Sequence, residues 1–447
     1  MVTRRKILGA SAVSIGVLAG CSSPSTDDPE PEPEDEDDTP PPDEETVIDV
    51  TDFGVQADGT HDDTEAIRNA LAAAEDGDVV AFPEGTMLVT GDGPQSRTAT
   101  AVTIEGGTHP DDLTIRGEGE GSVLLMDGGH DRNHAPLDVQ IGSGIEGLVF
   151  ENFTVDGNRF EQTQPDAEGG WNVSIHGADN DTVDADITLR NVWSRNANQT
   201  GFRVTYGGSL LDRCTAENCA LHGFGIDAWG ENRRMDPPIE VKRSYAVGNG
   251  LYGIDCSGGV IHVEDFVSEG NQQGTKTTEE VIETTYRRCR FKDNETLGYN
   301  RPTSRTRTGQ RALVRFEDVI SERNGGRAFR FGYDTDYRVG TIIARENNRD
   351  AETSSNVSVR DNASLDAEFV LSYAAVNGVG LRYGSSERST IDTYISQGNP
   401  LGGLTVDTDG LDITNHFNGE DTELFQKVID RLAISVPNAN EVGAGTA

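Results

Sequence analysis

The sequence predicts an all-β protein: a right-handed parallel β-helix, closed at its start by a short N-terminal capping α-helix. Three observations predict it. An asparagine recurs at a nearly fixed interval, alternating apolar runs precede each asparagine, and a helix-forming segment stands just before the first repeat. A solenoid grows by adding coils that touch only their neighbours, so 447 residues need not be divided into several domains.

The recurring asparagines are Asn196, Asn218, Asn249, Asn271, Asn294, Asn324, Asn347, Asn377 and Asn399, with steps of 22, 31, 22, 23, 30, 23, 30 and 22 residues. One coil is therefore 22 or 23 residues, and the longer steps are a coil plus an insertion of about eight. Ahead of each asparagine runs an alternating stretch such as Ile239-Glu240-Val241-Lys242 or Leu313-Val314-Arg315-Phe316, the period-two signature of a strand. A second run follows, often led by glycine: Gly201-Phe202-Arg203-Val204, Gly223-Phe224-Gly225-Ile226, Gly253-Ile254 and Ala328-Phe329-Arg330-Phe331. Two strands and an asparagine corner describe one coil. Asparagine suits the corner because it tolerates left-handed geometry, and stacked asparagines can form a side-chain ladder. Leucine-rich and helical repeats fit worse, lacking here the fixed leucines and the 3.6-residue period they require.

The stretch from Asp49 to Thr90 is different. Asp62 or Asp63 can cap a helix whose apolar face is Ala66, Ile67, Ala70, Leu71 and Ala74. A solenoid needs such a cap over its open end. The residues Asp52-Phe53-Gly54, Asp58-Gly59, Asp62-Asp63-Thr64, Ala66-Ile67, Phe82-Pro83 and Gly85 resemble the N-terminal module of the pectate-lyase-like β-helix superfamily, which includes polygalacturonase-like enzymes and phage tailspikes. With the repeats, the resemblance covers roughly residues 47–420. It implies a capped parallel β-helix in which these aspartates are structural. The organisation expected is a cap over 46–92, coils over 93–420, and a C-terminal cap and tail over 421–447.

Before the cap, Arg4, Arg5 and Lys6 precede an apolar run from Ile7 to Gly20 that ends at Cys21. The run is shorter than the roughly 20 apolar residues of a membrane span and reads as an export signal. The arginine pair resembles a twin-arginine signal, and Leu18-Ala19-Gly20-Cys21 resembles a lipobox, with Cys21 the lipidated residue. Residues 22–45, rich in Pro, Glu and Asp, are a self-repelling linker. The protein is thus expected outside the cell, at its surface, touching the membrane through a lipid anchor only.

The net charge is −40. Setting aside the 12 acids of residues 27–45 and the three bases of residues 1–26 leaves 65 acids against 34 bases. This acidic, lysine-poor composition resembles that of proteins from salt-loving organisms, and it excludes nucleic acid as a partner. Cys214 and Cys289 share a repeat position with Val192, Phe266 and Val319, so they are expected as buried free thiols.

Aligning the second strands on Ile175, Val204, Ile226 and Ile254 sends His176, Thr205, Asp227 and Asp255 outward in one row, and Ser174, Arg203, Gly225 and Gly253 in the row before it. Successive coils lie about 4.8 Å apart, so Asp227 and Asp255 are expected side by side, near His176 and Arg203. Two carboxylates about 5 Å apart have the spacing of a retaining glycosidase. His222 stands at the corner ahead of Gly223.

Insertions at 177–186, 228–238 and 300–312 follow this row, and insertions gathered on one face of a solenoid form its binding groove. They carry Trp229, a sugar-stacking residue, and arginines suited to carboxylates: Arg233, Arg234, Arg301, Arg305, Arg307 and Arg311.

The composite motifs of polygalacturonases are missing apart from His-Gly, at His176-Gly177 and His222-Gly223. Gly225-Ile226-Asp227 and Tyr252-Gly253-Ile254-Asp255 resemble the repeats of mannuronan epimerases, which carry a histidine two residues after the aspartate, where Trp229 stands here. The expected partner is an acidic polysaccharide, acted on by a lyase, hydrolase or epimerase, with Asp227, Asp255, His222 and His176 as catalytic candidates. Arg203, Trp229, Arg233, Arg234, Arg305 and Arg307 are the substrate-binding candidates. A non-catalytic glycan-binding surface protein is the alternative. Calcium is the one metal considered, beside clustered aspartates. The protein is expected as a monomer or homotrimer.

Overall fold

The computed structural model describes residues 45–91, 98–129, 133–163, 170–177, 185–226, 237–278, 281–301, 311–350, 355–418 and 436–437. Cys21, Asp227, Trp229, Arg233, Arg234, Arg305 and Arg307 lie outside the described residues.

Every strand pairing is parallel. Among the described residues, twelve strands, from Thr98–Glu105 to Leu404–Val406, form one wall of the solenoid, and a 22-stranded sheet forms the rest. One coil runs Tyr252–Cys256, Gly259–Glu264 and Val267–Glu269 before the next begins at Gln273–Thr277. Each coil here therefore has three strands rather than the two expected. The alternating run ahead of the asparagine is bent by one left-handed residue: Arg213 (φ 53°), Arg243 (φ 48°), Asp265 (φ 52°), Arg288 (φ 49°) and Asp318 (φ 57°) in successive coils. A single left-handed residue turns the chain without shifting the apolar pattern, so sequence periodicity passes straight through it. Charge pairs between coils pin these bends, Arg243 to Asp212 at 2.6 Å and Arg288 to Asp265 at 2.7 Å.

The second corner carries the ladder. Asn249 Oδ1 accepts from the Cys219 backbone N–H at 3.0 Å, and Asn271 Oδ1 accepts from Asn249 N–H at 2.8 Å. The same bond links Asn271 to Asn294, Asn294 to Asn324 and Asn324 to Asn347. The side-chain amides of Asn249, Asn271, Asn294 and Asn324 also donate along the row, Asn294 Nδ2 to Asn324 Oδ1 at 2.9 Å and Asn324 Nδ2 to Asn347 Oδ1 at 2.8 Å. The nine asparagines do not all share one role. Asn196 and Asn218 occupy the left-handed position itself (φ 53° and 54°), where Gly248, Gly270 and Asp293 stand in later coils. Asn377 is off the row, and Ala375 stands in its place, donating its N–H to Asn399 Oδ1 at 3.1 Å.

Inside, apolar side chains stack coil on coil, as Phe202 does on Phe224 with centroids 5.0 Å apart. Cys214 and Cys289 are fully buried free thiols in the row of Val192, Phe266 and Val319, as expected. Burial pushes the Cys214, Cys219 and Cys256 thiols up to about 12, which leaves them inert at neutral pH. At the start, the helix Thr64–Ala72 buries Ile67, Ala70 and Leu71 over the first coil. The two aspartates before it divide the work. Asp62 accepts from Thr64 N–H at 3.1 Å, while fully buried Asp63 accepts from Gln56 and Ala57 N–H and so ties the preceding turn.

Replacing Asn324 with Ala removes the acceptor for Asn294 N–H and strands a buried donor. The expected loss is about 1–3 kcal/mol, read as a lower urea midpoint. An unchanged midpoint would show that the ladder contributes nothing to stability.

Candidate active site

Glycine decides how the twelve-stranded wall faces its surroundings. A Cβ on Gly253 would lie 2.1 Å from Ser268 Oγ, and one on Gly223 would lie 2.8 Å from Gly253 O and 2.9 Å from Asn249 Nδ2. Positions 223, 253 and 274 thus turn inward under the ladder, and the outward side chains lie three apart: His222 and Gly225, Tyr252 and Asp255, Gln273 and Lys276.

The observed register is Phe224↔Ile254, Gly225↔Asp255 and Ile226↔Cys256. Asp255 therefore sits beside Gly225, in a row with Ser174 and Arg203, and not beside the position after Ile226. This corrects the expected pairing of Asp227 with Asp255. The alignment on isoleucines was displaced by two residues, because the glycine packed beneath the ladder fixes the register.

Gly225 leaves the row without a side chain between Arg203 and Asp255. The space forms a groove of about 270 Å³ lined by Trp171, Thr200, Arg203, His222, Asp255 and Ser257, among others. Asp255 accepts from Ser257 Oγ at 2.7 Å and from Lys276 Nζ at 3.1 Å. His222 Nε2 lies 3.7 Å from Asp255 Oδ2, too far for a hydrogen bond, and its buried Nδ1 has no partner. The imidazole stacks on Tyr252, centroids 5.0 Å apart and 11° from parallel, and Lys276 Nζ lies 4.8 Å from the Tyr252 ring centroid.

Burial pushes His222 below its ordinary pKa; Asp255 opposes the shift and Lys276 adds to it. Burial, and then Asp255, raise the Tyr252 phenol to about 12. At neutral pH the stacked pair is thus an unprotonated imidazole against a protonated phenol, a base and an acid on adjacent coils. At the other side of the groove, Arg203 lies over Trp171 at 4.1 Å, and Trp171 Nε1 donates to Gln199 Oε1 at 2.8 Å.

Of the sequence-predicted residues, His222, Asp255 and Arg203 come together in this groove. His176 does not line it: its Nε2 lies 3.2 Å from Asp138 Oδ1, one coil back. Arg301, placed by sequence in a binding insertion, is buried, donating to Thr278 O and Tyr333 O. Arg311 is held by Asp336 at 2.7 Å. Tyr252, Lys276 and Trp171 were not singled out. Aligning Gly223, Gly253 and Gly274 would have found the first two, since it sets Tyr252 over His222 and Lys276 beside Asp255. Among the described residues no three His, Cys, Asp or Glu side chains converge as metal ligands.

The model of the rhamnogalacturonase A/epimerase, pectate lyase-like family matches residues 47–300. The chain belongs to this family. It is 29% identical over 224 residues to mannuronan C5-epimerase AlgE2 of Azotobacter vinelandii, an alignment covering 50% of this chain and 21% of that protein. It is 26% identical over 202 residues to alginate lyase 7 of the same organism, covering 40% of this chain and 23% of the relative. The chain thus spans about a fifth of the length of these curated relatives. Among solved structures, the A-module of A. vinelandii mannuronan C-5 epimerase AlgE6 superposes with a TM-score of 0.61 at 15% identity, over 83% of this chain and 99% of the module. The AlgE4 A-module gives a TM-score of 0.54 at 17% identity, over 83% and 95% of the two chains. At these identities the superpositions show the fold: a parallel β-helix.

The depressed His222 pKa makes a signed prediction. With a folded pKa below its unfolded value of about 6.5, the imidazole binds its proton more readily in the unfolded chain. Its contribution to stability is therefore complete above about pH 6.5 and falls on acidification toward the folded pKa. NMR titration should place the His222 midpoint below 6.5, higher again in Lys276→Met and lower still in Asp255→Asn. A midpoint above 6.5 in the unmodified protein would contradict the neutral imidazole.

Proposed function

We propose that the protein acts on a uronate-containing polysaccharide by taking the proton from C5 of a uronate, as an epimerase or a lyase does. The observation that carries this reading is His222 stacked on Tyr252 beside the Asp255–Lys276 pair. The family, and relatives named as mannuronan C5-epimerases and an alginate lyase, support it.

A proton on carbon next to a carboxylate is removed only if the resulting charge is stabilised. His222 takes the C5 proton, and the C–H electron pair moves into the uronate carboxylate as an enediolate. Lys276 and Arg203 supply the positive charge against which that dianion forms. The Tyr252 phenol then returns a proton to the opposite face of C5, which inverts the centre. Alternatively, the electron pair expels the C4–O bond and the phenol protonates the departing oxygen, which cuts the chain. Asp255 keeps Lys276 in place, and its charge favours the imidazolium that forms. Retaining hydrolysis fits less well, because the neighbours of Asp255 on the preceding and following coils are Gly225 and Lys276 rather than a second carboxylate.

We further propose that Arg4, Arg5 and Cys21 direct export and lipid anchoring, with residues 22–45 spacing the β-helix from the membrane. Together with the acidic charge, these features suit a surface protein of a high-salt environment.

The test is incubation with polymannuronate, polyguluronate and polygalacturonate in D₂O at high salt, with and without calcium. Deuterium at C5 or unsaturated chain ends is expected, and His222→Gln or Tyr252→Phe should slow its appearance by about 10²–10⁴-fold with the fold intact. New reducing ends with neither deuterium nor unsaturation would identify a hydrolase. Binding without turnover on every polymer would establish the non-catalytic glycan-binding alternative.

A further inference from the structure

The outward row of Asp255 continues along the wall through Lys276, Asn300, Arg330, Ser358 and Arg382, each paired to the next. Arg327 stands two residues ahead of the strand Phe329–Phe331 and three before Arg330, the spacing of the other outward pairs. Arg360 stands one coil further on, two residues past Ser358. Four arginines thus gather on the groove-bearing wall of a chain whose net charge is −40.

These arginines differ from the others around them. Arg116, Arg195, Arg243, Arg288, Arg315 and Arg345 each hold a carboxylate. Arg382 does so too, with Asp407 at 2.7 Å. Among the described residues, Arg327, Arg330 and Arg360 form no ion pair. The Nε atoms of Arg327 and Arg330 are buried and meet no hydrogen-bond acceptor among the described residues. Burial, and then Arg360, Arg330 and Arg382, push Arg327 down to about 10. Holding such a cluster without an anion is unfavourable, and a bound carboxylate would reverse the balance by giving each fork an acceptor.

The spacing indicates which carboxylate. Lys276, Arg330 and Arg382 recur at every second coil, about 9.5 Å apart. A 1,4-linked pyranose advances along its chain by roughly the rise of one coil. In a two-fold ribbon of uronates, carboxylates on alternate sugars face the same side. A chain lying along the wall would therefore present carboxylates at the period of these cations.

We propose that Arg327, Arg330 and Arg360 form a distal carboxylate subsite, about three coils or 14 Å beyond Asp255, that holds a uronate further along the polymer being acted on. The subsite rests on the polyuronate reading above. It makes the protein a reader of chain length, since a short oligomer seated at His222 cannot reach Arg330.

The test measures affinity and turnover for oligouronates of increasing length, with the Arg327→Gln/Arg330→Gln double variant beside the unmodified protein. Arg388→Gln, an exposed arginine paired with Asp412, controls for the loss of positive charge. The unmodified protein should gain affinity up to the length that reaches Arg330. The double variant should lose about ten- to a hundredfold on long oligomers, and its gain with length should stop short. Arg330→Lys, which keeps the charge and loses the fork, should fall between them, and thermal melting shows whether each variant is folded. Turnover with the same length dependence in both proteins would overturn the subsite and leave the C5 reading standing. Arginine-dependent binding of polyuronate without any turnover would keep the subsite and overturn the C5 reading. Preference for a sulfated over a carboxylated polymer would overturn the uronate assignment.

Discussion

The parallel register of the coils is the constraint on which everything else in this molecule depends. Side chains on successive coils meet at about 4.8 Å only if the coils neither slip nor rotate against one another. The buried asparagine ladder enforces that. Each amide oxygen from Asn271 to Asn347 accepts from the backbone of the previous coil, so a slip of one residue would break a row of buried bonds together. The glycines beneath the row follow from it. With the ladder amides and the strand of the next coil so close, no Cβ fits at Gly223 or Gly253, and the chain there turns inward.

That inward turn makes the arrangement of the candidate site possible. A regular strand offers outward side chains at every second residue, alternating strictly with the core. With glycine turned in, the outward pair becomes His222 and Gly225 on one coil and Tyr252 and Asp255 on the next. The ring positions then stack on each other, while the following positions give an open space and a carboxylate. The groove is thus a by-product of register: an absent side chain at Gly225 between Arg203 and Asp255, walled by rings that the ladder glycines aim outward.

This explains why the fold was legible in the sequence and the site only partly so. Repeat length, strand alternation, the capping helix and the buried cysteine row are local or periodic features, and the structure reproduces them. The bend at Arg213, Arg243 and Asp265 was invisible because one left-handed residue leaves the apolar alternation intact. The pairing of Asp255 was misread because chemically similar isoleucines were aligned, while the decisive residue was a glycine whose importance lies in what surrounds it. His222 and Arg203 were found by residue type. Tyr252 and Lys276 were missed because each acquires its role only from the neighbouring coil.

Charge completes the picture. A chain at −40 repels a polyanion at long range, yet the groove wall carries Arg203, Lys276, Arg327, Arg330, Arg360 and Arg382. In dilute solution these opposed fields would compete over about 10 Å or more. In molar salt the screening length falls to about 3 Å, and the distant acidic surface ceases to matter. Only contacts at hydrogen-bonding distance then discriminate between ligands. The Asp255–Lys276 pair at 3.1 Å survives such screening, and so would a guanidinium fork on a carboxylate. The proposed recognition of an acidic polymer by an acidic protein is therefore consistent in concentrated salt, provided it rests on arginines such as Arg327 and Arg330, which form no ion pair among the described residues and whose Nε atoms are buried.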